Sequence, residues 1–499
     1  MHSFNYKIVI FLMGVLLLFN GCLMLISSLV SFFYKDGVTF EITLSSFLVL
    51  SLGALLMLFG RQYDKQIQKR EGYVIVTLGW MMMTISGMLP FIFTNSMVDI
   101  PSTFFETMSG YTATGATILQ DIESLPMGIL FWRSMTHWIG GMGIIVLAVA
   151  ILPLLGIGGI QLFSAEAPGP NNDKLHPRIT DTAKRLYLIY VVLTFAEFFL
   201  LKVAGMTWFD ALNHAMATVS TGGFSTKNAS IAHYNHLPFV QYIITFFMLV
   251  AGTNFVLTYF ALKGKIQKVF QSEEFRYYLF GIIGVSSLII ILIYHFQDPS
   301  LETSINHPKV FGDLEYAIRH SLFMVTSVVT TTGFVSADFT MWNFFATGIF
   351  FALFFTGGSA GSTSGGVKVV RHIVMLKNSF LEFKKALHPN AIIPVRYDGK
   401  SVSQTIVFNI LSFFIIYMFI FIMASVTLNL LGLDFVSALG AAASSLGNIG
   451  PAIGSVSPVD NFAHLSTSAK WFCSFLMLIG RLELFTVLIL FTPFFWRKN

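Results

Sequence analysis

Long apolar runs separated by short polar stretches dominate the chain. A membrane-crossing helix needs about 20 apolar residues. By that measure the pattern predicts ten spans, at 8–33, 40–60, 73–93, 127–152, 184–204, 238–262, 277–296, 342–376, 402–431 and 467–496. The first run follows Lys7, lacks a small-x-small cleavage site and exceeds the roughly 7–15 residues of a signal-peptide core, so it reads as a retained helix. The eighth run is interrupted. Its stretch "FFTGGSAGSTSGGVKVV", Phe354 to Val370, carries Gly357, Gly358, Gly361, Gly365 and Gly366 among Ser359, Ser362, Thr363 and Ser364. Each glycine costs up to about 1 kcal/mol in a helix. The run therefore predicts two half-helices joined by non-helical backbone. Such backbone is tolerated at membrane depth only where it faces protein or a water path.

Between the spans, four pieces are helix-like but too short to cross: 101–111, 208–218, 314–329 and 434–445. A small, hydroxyl- and glycine-rich turn follows each: "GYTATGAT", "ATVSTGGFS", "SVVTTTGFVS" and "ASSLGNIGP". The shared element is one or two hydroxyl residues, a variable position, then Gly115, Gly222, Gly333 or Gly447, repeating about every 110 residues. The expected fold is an all-α polytopic membrane protein. It has four pseudo-repeats of helix, re-entrant pore loop and helix around a central ion path, plus two extra N-terminal transmembrane helices. The corresponding boundaries are 1–62 for the N-terminal pair, then 63–165, 166–265, 266–395 (with the intramembrane loop) and 396–499.

Composition fixes the class. Of 499 residues 55% are hydrophobic and 11% charged, against about 25% charged in a soluble domain. The net charge of +5 lies in loops rather than on a nucleic-acid face. Lys and Arg gather in 61–72, 153–183, 263–276, 368–400 and at the C-terminus, while Thr94 to Pro126 has none. Positive loops mark the cytoplasmic side, so both termini are expected inside. Cys22 and Cys473 both lie in apolar stretches, which argues against a disulfide framework or zinc site.

Four glycine–threonine turns on one side have an economical use. Meeting on an axis, they present carbonyl oxygens and hydroxyls that replace a cation's hydration shell. Glycine permits the positive φ that alternating carbonyls require, and lets four backbones crowd together. The preceding short helices direct their negative C-terminal ends at the path. No nucleophile with its base, metal-ligand cluster or cofactor fingerprint is present, so a non-enzyme without a cofactor is expected. The glycine run is no phosphate loop, because Gly366 is followed by Val367 before Lys368, with no hydroxyl after it.

"TATGAT", "STGGFST", "TTTGF", "LGNIGP", "TGGSAGSTSGGVK" and "GRLELFTVLIL" together resemble the Trk-type bacterial potassium uptake proteins, the TrkH/TrkG branch of the Trk/Ktr/HKT cation transporters. The resemblance spans the whole chain. It implies a homodimer in the bacterial inner membrane, with a TrkA-type nucleotide-binding regulatory subunit on the cytoplasmic side. K⁺ is the implied substrate ion, with Rb⁺ also carried and Na⁺ more weakly. It further implies that Thr112, Ala113, Thr114 and Gly115, Ser220, Thr221 and Gly222, Thr331, Thr332 and Gly333, and Leu446, Gly447 and Asn448 line the filter. Leu446 and Asn448 would make that ring chemically uneven.

The run Gly357, Gly358, Ser359, Gly361, Ser364, Gly365 and Gly366 is assigned as a gate below the filter; a plain flexible linker is the competing reading. Arg481, ten residues into the last run, has two readings. It is a positive charge beside the ion path, as the resemblance implies, or the partner of a structural salt bridge with Glu483 or another acid. Their i,i+2 spacing puts Arg481 and Glu483 on different helix faces. His137 and Glu197 are expected to make interhelical hydrogen bonds. Glu106, Asp210, Asp313 and Asp434 are expected to cap the short helices. Segments 153–183 and 377–400 are candidates for the regulatory contact. A coupled cation symporter using alternating access (K⁺/H⁺ or Na⁺) is the alternative function, although such folds usually have two inverted halves.

Overall fold

The computed structural model describes residues 4–61, 69–146, 175–296, 313–388, 391 and 393–497. Apart from one two-residue hairpin pairing Arg396–Tyr397 with Lys400–Ser401, the described regular structure is helical. Helices α1 (Tyr6–Tyr34) and α2 (Thr39–Gly60) form an antiparallel N-terminal hairpin. Small residues set its tightness: a Cβ on Gly14 would fall 2.7 Å from the Gly53 oxygen, and Ser46 Oγ donates to the Gly21 oxygen at 2.7 Å. Close backbone approach of this kind is how helices associate without a hydrophobic drive between them.

Four units follow. In the first, α3 (Lys69–Gly87), the short α4 (Ile100–Tyr111) and α5 (Met127–Val146) succeed one another. The second runs α6 (Leu175–Val203), short α7 (Trp208–Val219), α8 (Pro238–Ala251) and α9 (Phe255–Leu262). The third runs α10 (Glu273–Phe296), short α11 (Leu314–Val329), α12 (Phe344–Leu353) and α13 (Val369–Leu387). The fourth runs α14 (Gln404–Leu430), short α15 (Phe435–Gly447), α16 (Thr467–Arg481) and α17 (Phe485–Leu488). The short helices lie within about two residues of their sequence-predicted positions. Their C-terminal halves are buried, while their starts carry exposed residues such as Trp208, Leu314 and Phe435; α4 from Ser102 to Tyr111 has no exposed residue.

Capping explains where they start. Asp99, Asp313 and Asp434 each accept a backbone N–H three residues on, and Thr207 does so for α7 with Asp210 in its first turn. Such side chains satisfy the open donors of a helix start. Glu106 is no cap. It sits mid-helix and pairs with Arg133, and Asp99 takes the capping role instead.

Six described helices are long and apolar enough to cross a membrane, or eight if each bent pair counts as one span. The sequence-predicted span 127–152 runs past Val146 and beyond the described residues, and 342–376 is divided as expected. Two spans read as continuous are broken. Both 238–262 and 467–496 bend by 111°, at Gly252–Asn254 and at Leu482–Leu484. At the first bend Asn254 starts a new helix by accepting from Val256 N at 2.8 Å. At the second, Glu483 and Leu484 both take positive φ, 56° and 52°. The candidate partner segment 153–183 lies mostly outside the described residues.

Candidate functional site

Each short helix ends in the same backbone figure. A residue with φ near +50°, one further residue and a positive-φ glycine follow the helix end. These sets are Ala113–Thr114–Gly115, Thr221–Gly222–Gly223, Thr331–Thr332–Gly333 and Asn448–Ile449–Gly450. The structural register therefore differs from the sequence reading in two units. Gly223 and Gly450, rather than Gly222 and Gly447, take the glycine position. Leu446 and Gly447 belong to the last turn of α15, and Ser220 is the C-cap of α7.

The four turns close a ring through these glycines. A Cβ on Gly115 would lie 2.3 Å from the main-chain oxygen of Gly222. One on Gly223 would lie 2.0 Å from that of Thr332, and one on Gly333 would lie 2.2 Å from that of Ile449. One on Gly450 would lie 2.7 Å from that of Thr114, which returns to the first turn. Each contact joins a glycine to the residue just before the glycine of the next turn. Positive φ and the absence of room for a methyl group both demand glycine here. Among the described residues the oxygens of Thr114, Thr332 and Ile449 accept no hydrogen bond. A single cavity touches all four glycines, with Ser225, Asn228 and Asp460 among its other lining residues.

Around this ring the side chains are unequal. Thr221 donates its hydroxyl to the Ser220 oxygen, and Ala113 has none to offer. Asn448 Nδ2 donates to Thr114 Oγ1 at 3.0 Å and to the Met477 oxygen at 2.9 Å. Thr331 Oγ1 accepts from Gly365 N at 2.6 Å, and Gly365 lies in the glycine run. Behind the second turn His137 Nδ1 meets the Gly110 oxygen at 2.7 Å, the interhelical bond expected of it. Glu197, expected to bond likewise, is buried on α6 with the Thr218 hydroxyl of α7 as its hydrogen-bonding neighbour.

The glycine run, 354–368, passes between α12 and α13 as non-helical backbone held at many points. Ser359 N donates to the Gly252 oxygen (2.8 Å), Ala360 N to Glu274 Oε1 (2.7 Å) and Asn254 Nδ2 to the Ala360 oxygen (2.6 Å). Thr363 Oγ1 donates to the Val219 oxygen at 3.1 Å, at the end of α7. A Cβ on Gly365 would fall 2.7 Å from the Gly447 oxygen, at the end of α15. The loop thus touches the second, third and fourth units directly beside their turns. The run is held by its neighbours along its length in the structure. Its ends meet: Gly357 N donates to the Val367 oxygen at 2.8 Å, and Lys368 Nζ folds back onto the main-chain oxygen of Ser364.

Arg481 is buried and does not pair with Glu483. Its Nη1 donates to the Thr363 oxygen at 2.8 Å, in the middle of the loop, and its Nη2 to the Gly140 oxygen of α5 at 3.4 Å. Glu483 instead takes Arg371 of α13 at 2.5 Å. The bend at Leu482–Leu484 makes this division, by turning the two side chains to different neighbours. Sequence reasoning missed the contributions of Gly252, Asn254 and Glu274 to the loop. Asn254 directly after Gly252–Thr253 is a helix-start signal that marked the break.

The chain is similar to known proteins over its whole length. The TrkH family model, described as "Cation transport protein", matches residues 38–498. The Trk system potassium uptake protein TrkH of Escherichia coli K12 is 39% identical over 497 residues, covering 99% of this chain and all of that protein. The corresponding TrkG of Escherichia coli K12 is 33% identical over 502 residues, the full length of both. The crystal structure of the potassium transporter TrkH from Vibrio parahaemolyticus superposes with a TM-score of 0.88 at 35% identity, covering 99% of this chain and 100% of that one.

Proposed function

The chain belongs to the TrkH family of cation transport proteins, and from that premise we propose that it carries K⁺ across the bacterial inner membrane through a channel-like path. The observation that carries this reading is the closed cycle Gly115–Gly222, Gly223–Thr332, Gly333–Ile449, Gly450–Thr114. Four backbones that touch in a ring, with the main-chain oxygens of Thr114, Thr332 and Ile449 accepting no hydrogen bond among the described residues, are what a dehydrated cation needs. The relatives' names supply the ion.

The cation enters the cavity bordering Gly115, Gly223, Gly333 and Gly450. It sheds water against the oxygens of 112–115, 220–223, 331–333 and 448–450. The C-terminal ends of α4, α7, α11 and α15 face these turns, and their partial negative charge favours a cation there. Unequal side chains at Ala113, Thr221, Thr331 and Asn448 make preference for K⁺ over Na⁺ weaker than in a symmetric filter. Beyond the ring, loop 354–368 stands as the gate, latched by Arg481. Passage requires the loop to leave Val219, Thr331 and Gly447. A TrkA-type nucleotide-binding partner biases that step from the cytoplasmic side, through the basic segment 377–400, and both termini lie on that side. The protein works as a homodimer and performs no catalysis.

Uptake of Rb⁺ and of Na⁺ into proteoliposomes of the purified protein, with and without the partner, tests this. Rb⁺ uptake inhibited by external K⁺ and exceeding Na⁺ uptake is expected. No uptake above protein-free vesicles with the partner present, or equal Rb⁺ and Na⁺ uptake, overturns it.

A further inference from the structure

We propose that the buried ion pair Glu106–Arg133 is a specificity-determining positioning pair, which fixes the spacing between the first and second filter strands. The proposal deepens the filter reading above and rests on it.

The geometry is that of a brace. Glu106 lies in α4 and Arg133 in α5, with Arg133 Nε 2.7 Å from Glu106 Oε1 and both side chains nearly inaccessible. The carboxylate also reaches the strand that leaves the first turn. It accepts from Thr117 Oγ1 at 3.0 and 3.1 Å and from Ile118 N at 2.9 Å. The guanidinium reaches the strand that leaves the second turn: Arg133 Nη1 donates to the Ser225 oxygen at 2.8 Å, and its Cζ lies 3.5 Å from the centroid of the Phe224 ring. Thr117 and Ser225 each stand two residues beyond a ring glycine, Gly115 and Gly223. One ion pair therefore ties strand one to strand two immediately beside the Gly115–Gly222 contact.

Two of the other junctions are built differently. Between the second and third strands the tie includes main chain, Ala232 N to the Val335 oxygen at 2.9 Å. Between the fourth and first it is again main chain, Phe462 N to the Thr117 oxygen at 2.8 Å. Directly beside the ring, among the described residues, two charged side chains tie neighbouring strands at the first junction; the Glu315–Arg319 pair reaches the segment leaving the second turn farther out, at the Asn235 oxygen. A buried ion pair contributes little net stability compared with apolar residues of similar size. What it does contribute is direction, because a planar guanidinium fork holds two acceptors at fixed angles. Loss of the pair loosens the distance between strands one and two, and an oxygen ring of variable width no longer distinguishes ions by size.

The test uses full-length protein in proteoliposomes and reads the Rb⁺/Na⁺ uptake ratio. Removing one charge alone strands the other, so the main variant removes both, as Glu106→Gln with Arg133→Met. A second variant, Arg133→Lys, keeps the charge but cannot serve Glu106 and the Ser225 oxygen together. Arg319→Gln is the control, since Arg319 is equally buried, pairs with the half-exposed Glu315 and bonds Gln241 Oε1 at 3.1 Å and the Asn235 oxygen rather than a residue next to a ring glycine. Expected are a ratio at least fivefold lower in the double variant, a smaller fall for Arg133→Lys, and an unchanged ratio for Arg319→Gln. A ratio within twofold of the parent in the double variant overturns the proposal, as does failure of both pair variants to fold, which makes the pair a folding element. A parent protein without Rb⁺ preference would instead defeat the filter reading itself.

Discussion

Arg481 donates a hydrogen bond of 2.8 Å to the main-chain oxygen of Thr363 and so joins the bend in the fourth unit to the middle of the glycine loop. A charge-assisted bond of this kind contributes about 1.5–3 kcal/mol. If the loop is the gate, that energy sits in its closed state.

Arg481→Ala is therefore expected to raise partner-free Rb⁺ flux by about ten- to a hundredfold, the ratio that such an energy commands. Flux in proteoliposomes checks this. Unchanged flux with a lower melting temperature would assign Arg481 to stability alone.

Thr331→Val removes the hydroxyl that accepts from Gly365 N at 2.6 Å. An ordinary hydrogen bond contributes about 1 kcal/mol, so basal flux should rise by about fivefold, less than for Arg481→Ala. The same assay, run side by side, orders the two variants. The reverse order would contradict the account of the latch.

Deleting Gly358–Gly365 should raise basal flux at least as far as Arg481→Ala. The excision is geometrically mild, because Gly357 already bonds Val367 across the base of the loop. Lowered or unchanged flux in protein that inserts normally would count against a gate.

Gly223→Ala places a methyl group 2.0 Å from the Thr332 oxygen at a φ of +83°. Loss of K⁺-competed Rb⁺ uptake with insertion retained is expected. Gly348→Ala meets nothing within 4 Å and should transport as the parent does. Immunoblot of membranes together with Rb⁺ uptake separates loss of transport from loss of protein.

The fold was legible in the chain to the level of its elements. Apolar length located six of the ten predicted spans as continuous helices and two more as bent pairs, and the four short helices stood out because each was too brief to cross and ended in a glycine turn. Register was harder to read. In "STGGFS" either Gly222 or Gly223 satisfies a hydroxyl-x-glycine pattern, and only the backbone shows that Gly223 takes the positive φ. In "SSLGNIGP" the template chose Gly447, yet α15 runs through it and Asn448 adopts the left-handed turn that asparagine tolerates. The bend at Leu482–Leu484 carries neither glycine nor proline, so no local signal announced it. Glu106 was misread for a simpler reason. Acidic residues near a helix start usually cap it, whereas its true partner, Arg133, lies on another helix 27 positions along.

The most direct test of the ring is to see an ion in it. Crystals grown in Rb⁺ or Tl⁺ should give an anomalous peak on the axis enclosed by the main-chain oxygens of Thr114, Gly222, Thr332 and Ile449. A clear anomalous signal elsewhere in the protein, with none inside that ring, would contradict the account.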